Sequence, residues 1–223
     1  MNPRYERNVP ALTEAECELL RGKRVLVVGC GGLGGHLIDQ LARIGIGAIR
    51  AVDGDVFEPS NLNRQLLSEV PLLGVSKAKA AAARVSRVNP DVQIEAVEEY
   101  MSVANVCRLI LHCDAVLDAL DNIQSRKILA AACAKTNIPY IYGAISGWVA
   151  QAAISMPGDN LVETLYPEDT VLTDKSVLSF TPALCASMQT SICVKLLTGR
   201  PVETGTIYYF DLLNQEFETI PMV

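Results

Sequence analysis

The chain has 223 residues, half of them hydrophobic and a fifth charged, with a formal net charge of −6. That length suits one large domain or two small ones, and the composition suits a globular protein with a sizeable core. The acidic balance argues against nucleic acid or an anionic membrane as the main partner. Residues 1–7 lack the apolar core of a signal peptide and no apolar run reaches the roughly 18 residues of a membrane span, so a cytoplasmic protein is expected.

Thr13-Glu14-Ala15-Glu16 has the form of a capping box and predicts a short helix to about Leu20, making residues 1–22 an N-terminal arm and helix. Apolar strand-like runs then alternate with helical patterns. Strands are predicted at residues 24–28, 48–52, 93–97 and 115–118, and helices at 32–44, 76–88, 102–112 and 122–136. Two further strands, at 140–144 and 149–155, can pair across Ser146-Gly147. Such alternation, with strands too apolar to have a wet face, predicts an α/β fold: a doubly wound, Rossmann-like, mostly parallel sheet with helices on both faces.

The rhythm breaks over residues 156–180, which hold two prolines, several acids and no periodicity; a lid or binding loop is expected there. A strongly apolar helix follows from Pro182 to Leu197, opened by Thr181-Pro182 and stopped by Gly199-Arg200-Pro201. Residues 207–211 and 216–220 form a terminal hairpin, an antiparallel extension of the sheet. With no repeats and no low-complexity segment, residues 1–223 are expected to be one domain. The seven cysteines include no C-x-x-C pair, so no structural zinc is expected; most sit in apolar helical patterns, where a thiol acts as a small hydrophobe.

The chemistry begins at Val25-Leu26-Val27-Val28-Gly29-Cys30-Gly31-Gly32-Leu33-Gly34. Glycines 29, 31 and 34 fill G-x-G-x-x-G between a strand and a helix, with Gly32 beside them, and this turn brings backbone N–H groups and the positive helix end to a nucleotide's phosphates. Asp53, about 20 residues on at the next strand end, is placed to bind ribose hydroxyls. The stretch after it departs from a dehydrogenase pattern. Asp55, the run Asn61-Leu62-Asn63-Arg64-Gln65, and Lys77 behind Ser76 bring two permanent cations towards the phosphates. His36 and His112, the two histidines, read as structural or surface residues, so no acid–base group for hydride transfer is evident. Two cations and paired acids suit nucleotidyl transfer, where catalysis is positioning and charge stabilisation. Asp121, at a strand's carboxyl edge, is placed either to hold Mg²⁺ against a triphosphate or to cap the helix after it; position alone leaves both open.

The ordered set Arg4-Tyr5-Glu6-Arg7-Asn8, the glycine turn, Asp53-Gly54-Asp55, Asn61–Gln65, Lys77 and Asp121-Asn122 resembles the ThiF/MoeB/HesA family, bacterial relatives of ubiquitin-activating enzymes, over roughly residues 4–199. The resemblance implies ATP and Mg²⁺, and adenylation of the C-terminal glycine of a small ubiquitin-like sulfur carrier ending in Gly-Gly, with release of pyrophosphate. It implies that Gly29, Gly31, Gly32, Gly34, Asp53, Asp55, Asn61 and Asn122 line the nucleotide site. Arg64, Gln65 and Lys77 would bind phosphates, and Asp121 would be the metal-linked acid. Arg7 would be an arginine finger reaching a neighbouring subunit's ATP, which requires a homodimer. Two departures stand out: the zinc cysteines of sulfur-carrier members are absent, and residues 166–176, where covalent members keep a cysteine, contain none. Cys185 falls in the apolar helix and is expected to pack. The chain is therefore expected to stop at the acyl-adenylate. Other substrates remain open, including a tRNA-attached threonylcarbamoyl group or a peptide, as does an inactive partner subunit.

Overall fold

The computed structural model describes residues 2–168, 170 and 176–222. β1 (Arg24–Val28), β2 (Ala48–Val52), β3 (Gln93–Val97) and β4 (Ala115–Asp118) fall where the apolar runs place them, residue for residue. With β5 (Tyr140–Ser146), β6 (Val149–Ser155), β7 (Thr206–Asp211) and β8 (Glu216–Pro221) they form one eight-stranded sheet in the order β3-β2-β1-β4-β5-β6-β7-β8. The first five strands in that order pair in parallel. From β5 to β8 every pairing is antiparallel, beginning with the hairpin across Ser146 and Gly147.

The helices are α1 (Glu14–Arg21), α2 (Gly32–Ile44), α3 (Lys77–Val88), α4 (Val106–Ile110), α5 (Ile123–Thr136), α6 (Leu161–Leu165) and α7 (Phe180–Leu197). Because side chains alternate along a strand, β1 feeds two cores. Val25 and Val27 pack with Leu20, Leu37, Ala78 and Cys185 from α1, α2, α3 and α7. Leu26 and Val28 pack with Leu109, Leu129 and Val162 from α4, α5 and α6. Among the described residues no helix is long and apolar enough to cross a membrane.

The structure corrects several sequence expectations. The helix expected over 102–112 is only Val106–Ile110, because the Asn105 carboxamide takes the Ser102 N–H at 2.8 Å and closes a separate turn, while His112 turns to φ 63. The last long helix begins at Phe180, two residues before Pro182, and the Thr181 hydroxyl donates to the Gly147 carbonyl at 2.8 Å. Not every strand is dry: β3 alternates exposed and half-buried residues before Val97, and all of β8 is exposed, since both lie at sheet edges. The 156–180 stretch holds a helix, α6; its positions 169 and 171–175 lie outside the described residues.

The arm is docked. Pro3–Asn8 is a 3₁₀ turn, and the buried Tyr5 hydroxyl accepts from Asn89 Nδ2 at 2.8 Å. Arg4 Nη1 donates to Val88 O at 2.8 Å and Asn8 Nδ2 to Ile44 O at 3.3 Å, so the arm caps the C-terminal ends of α3 and α2. The capping box at α1 forms as expected, and Glu16 also pairs with Arg200, beyond α7, with Nε–Oε1 at 2.5 Å and Nη2–Oε2 at 2.8 Å. The Arg200 guanidinium, then the Thr13 amide, pull the Glu16 carboxyl from 4.5 down to about 2. A depressed carboxylate stabilises only where it is ionised, so this contribution is complete above 4.5 and lost as pH falls towards 2. The melting-temperature gap between wild type and Arg200→Ala, small because the pair is exposed, is expected to close over that window in an acid titration. A gap that stays constant with pH would show that the pair contributes nothing through its charge.

Candidate nucleotide-binding site

β1 runs on to β2 and β3 on one side and neighbours β4 on the other, so its carboxyl end is the point where strand order reverses and a crevice opens. Gly29 leaves β1 at φ +97, and a Cβ there would stand 2.5 Å from the Ala119 carbonyl oxygen beyond β4. A Cβ at Gly34 would stand 1.8 Å from the Gly29 carbonyl oxygen. These two glycines serve the turn and the close packing of α2 on β1. Gly31 and Gly32 differ: nothing crowds them more closely than the Gln65 side chain at 3.5 Å and Arg64 Cγ at 3.7 Å. No side chain caps the N-terminus of α2, whose first-turn N–H groups are the natural anchor for an anion.

The acids after β2 are partly engaged within the fold. Asp53 Oδ2 accepts the Cys30 N–H at 2.7 Å and Oδ1 the Asp55 N–H at 2.8 Å. One carboxylate thus locks the glycine turn to the next loop, and each oxygen keeps a lone pair for a ribose hydroxyl. Burial pushes Asp53 upward, against the two amides and Lys77. Asp55 receives the Tyr100 hydroxyl at 2.5 Å and Lys77 Nζ at 3.2 Å, and these donors, Tyr100 first, hold it below the usual carboxylate range. Tyr100 had no signal in the sequence. Its exposed ring lies over Gly54, where a Cβ would meet it at 2.7 Å.

Asn61, Arg64 and Gln65 share one turn. Asn61 Oδ1 accepts the Glu58 N–H at 3.0 Å, and the Asn61 carbonyl takes the N–H groups of Arg64 and Gln65 at 3.2 and 3.0 Å. Buried Asn61 therefore builds the turn rather than lining open space, and Arg64 and Gln65 project from it over Gly32 and Gly31. Arg64 Nη1 donates to Ser60 O and Asn63 Oδ1, both at 2.8 Å, leaving its other N–H groups without an acceptor among the described residues. Gln65 is 7% exposed, yet its Oε1 has no partner among the described residues. An unsatisfied buried amide is costly, and either orientation of a Gln amide offers a hydrogen bond to a ligand at Gly31.

Asp121 is exposed in the turn after β4, and it is not the cap of the helix that follows. Asn122 is the cap of α5, its Oδ1 accepting the Ser125 N–H at 2.8 Å, while Asp121 receives only a 3.3 Å contact from Asn122 Nδ2. Among the described residues its carboxylate has no other partner. Among the described residues no group of three or more His, Cys, Asp and Glu could hold a metal ion, so a cation at Asp121 would need a ligand's own oxygens. Arg7 stands apart from all of these. It is exposed in the arm against the C-terminal end of α2, and that 13-residue helix puts about 20 Å between it and the glycine turn. Within one chain it does not reach the site.

Of the seven cysteines six are buried and Cys107 is exposed. Cys185 is fully buried, and burial pushes its thiol up to about 12. Native alkylation with iodoacetamide at about pH 8 is expected to modify Cys107 and spare Cys185, as read by peptide mass spectrometry. Alkylation of Cys185, or a thioester or persulfide on it, would overturn its assignment to packing.

The ThiF family model matches residues 5–223. The chain belongs to the ThiF family. It is 36% identical over 212 residues to the SAMP-activating enzyme E1 of Haloferax volcanii, covering 91% of this chain and 77% of that protein. It is 30% identical to a probable molybdopterin-synthase adenylyltransferase of Porphyra purpurea and 32% identical to the probable adenylyltransferase/sulfurtransferase MoeZ of Mycobacterium tuberculosis. It spans 60% and 59% of those two longer proteins. Two of these relatives are named adenylyltransferases and the third an activating enzyme, and the chain is an adenylyltransferase. Escherichia coli MccB solved with ATP superposes with TM-score 0.85 at 19% identity, covering all of this chain and 72% of that one. Escherichia coli TcdA, a tRNA N6-threonylcarbamoyladenosine dehydratase, superposes with TM-score 0.76 at 23% identity, covering 88% and 94%. Those two likenesses establish the Rossmann-like fold.

Proposed function

We propose that this ThiF-family chain binds Mg-ATP at the glycine turn and adenylates the C-terminal glycine carboxylate of a small ubiquitin-like sulfur carrier, releasing pyrophosphate. The observation that carries the reading is the convergence on Gly31 and Gly32 of groups with spare hydrogen-bonding capacity: the uncapped start of α2, the Arg64 guanidinium and the Gln65 amide, whose Oε1 has no partner among the described residues. Lys77, 9% exposed at its side chain and tied to Asp55, adds a second fixed cation from the start of α3. In this reading Asp53 and Asp55 serve the ribose side, Asn61 and Asn122 shape the site, and Arg64, Gln65 and Lys77 hold phosphate. Asp121 takes Mg²⁺ through the nucleotide, whose bound cation supplies charge neutralisation during attack by the carboxylate. Residues 1–223 act as one adenylation domain, and Arg7 acts on the partner's site in a homodimer, which its distance from its own glycine turn supports. With Cys185 packed, transfer to a thiol falls to another protein. Retention of Arg64, Lys77 and Asp121 argues against an inactive subunit.

The test is ATP–pyrophosphate exchange against a panel of small ubiquitin-like proteins ending in Gly-Gly, with a short peptide and tRNA as other arms. Exchange with a Gly-Gly carrier, lost when its last glycine is removed, is expected. Exchange with peptide or tRNA alone would overturn the assignment of substrate. Stabilisation by NAD in place of ATP–Mg²⁺ in a thermal-shift assay would overturn the nucleotide.

A further inference from the structure

Behind the Asp121 turn lies a buried polar cluster that none of the nucleotide-facing residues uses. Asp118, the last residue of β4, is fully buried; Oδ2 accepts from Arg126 Nη1 at 2.7 Å and from the Tyr140 hydroxyl, and Oδ1 accepts the Leu120 N–H at 2.8 Å. Arg126, buried on α5, also donates to the Gly143 carbonyl at 2.7 Å and to the Leu120 carbonyl. Leu120, the residue before Asp121, is thus gripped by both its N–H and its carbonyl. The Arg126 guanidinium in turn lies over the Tyr142 ring, 5.2 Å from its centroid. The Tyr142 hydroxyl is 2.6 Å from that of Tyr166, the residue that ends α6 and opens the 166–176 stretch.

We propose that Tyr166 is a positioning residue for Asp121, acting through Tyr142 and Arg126, and so joins the start of the 166–176 stretch to the acid read as metal-linked. Among the described residues the Tyr166 side chain makes no hydrogen bond or ring contact to a nucleotide-facing side chain. Its hydroxyl fixes the Tyr142 ring, that ring supports the guanidinium, and the guanidinium fixes the peptide that aims Asp121. Without the Tyr166 hydroxyl, among the described residues Tyr142 Oη keeps only the long 3.3 Å contact to Gln151 to set the tilt of the ring under Arg126. The inference rests on the reading of Asp121 as the Mg²⁺-linked acid.

The test is the Mg²⁺-dependent part of ATP affinity, measured by calorimetry as the ratio of Kd in EDTA to Kd with Mg²⁺. Asp121→Asn is expected to cut this ratio about tenfold and Tyr166→Phe about threefold, whereas adding Tyr166→Phe to Asp121→Asn changes it less than about 1.5-fold, because both act on one group. Tyr142→Phe breaks the same hydrogen bond from the other side and is expected to reproduce Tyr166→Phe. If Asp121→Asn leaves the ratio unchanged, the metal reading falls and this inference with it. If Asp121→Asn lowers the ratio but Tyr166→Phe and Tyr142→Phe do not, the inference alone falls. An equal loss from Tyr166→Phe in both backgrounds also overturns it, since Tyr166 then acts elsewhere.

Discussion

Lys77→Ala is expected to lower ATP–pyrophosphate exchange by roughly 10²–10³-fold, the loss typical when one preorganised donor to developing charge is removed. Lys77 is almost wholly buried at the start of α3 and its ammonium meets Asp55 at 3.2 Å, so the charge stands in place before any ligand arrives. That fixed position makes it worth more than a surface lysine, because no reorganisation is needed as negative charge accumulates on the leaving pyrophosphate. Lys77→Arg should rescue poorly, since a planar fork does not fill a site built for a compact ammonium. Asp121→Ala should fall comparably, and its loss should be the more sensitive to Mg²⁺ concentration. Circular dichroism should show both variants folded, because Lys77 leaves behind an Asp55 that still holds Tyr100 and Asp121 is exposed. Unchanged exchange in both variants, measured with the same carrier, would place the chemistry elsewhere.

Asp118→Ala carries the second large effect, and it is one of stability. Removing this carboxylate strands the Arg126 charge, 5% exposed, with two backbone carbonyls and no counter-ion. Breaking a buried pair from one side costs about 3–5 kcal/mol, which for a domain of this size lowers the melting temperature by roughly 6–20 °C. Replacing both partners with apolar residues of similar volume, Asp118→Leu with Arg126→Met, should recover most of that loss. The double variant should still bind Mg-ATP poorly, because Leu120 has lost the groups that hold its N–H and carbonyl. A melt of Asp118→Ala within about 2 °C of wild type would show that the interior relaxes to hydrate Arg126, and that the pair is not a structural support.

The strands were legible because their signal is local. β1, β2 and β4 are mainly apolar runs bounded by polar or turn residues, and parallel strands buried on both faces need little else. The glycine turn was legible for the same reason, since its backbone demands are met within ten residues. The helix over 102–112 was not, because the Asn105 side chain takes the Ser102 N–H and closes a separate turn, leaving only the five residues Val106–Ile110 helical. Asp121 and Asn122 show the limit most sharply. Both are adjacent residues suited to capping, and only the placement of the Ser125 N–H shows that Asn122 takes the cap and leaves Asp121 open. Tyr100 and Arg126 were missed because an exposed Tyr after a strand and an Arg in a helix have many ordinary roles.

By itself the sequence determined the α/β rhythm, the glycine turn at Gly29–Gly34 and the ordered motifs that mark the ThiF family, all set by short-range backbone and packing needs. The tertiary structure decided which of those residues have hydrogen-bonding capacity to spare. Asp53 and Asn61 are largely engaged in building the turns, Gln65 Oε1 lacks a partner among the described residues, Arg7 lies a helix length away, and Tyr166 reaches the Asp121 turn through Tyr142 and Arg126. These are relations between residues tens of positions apart. Hydrogen bonds and burial are satisfied in space, and a chain pattern records only what neighbours along the chain require.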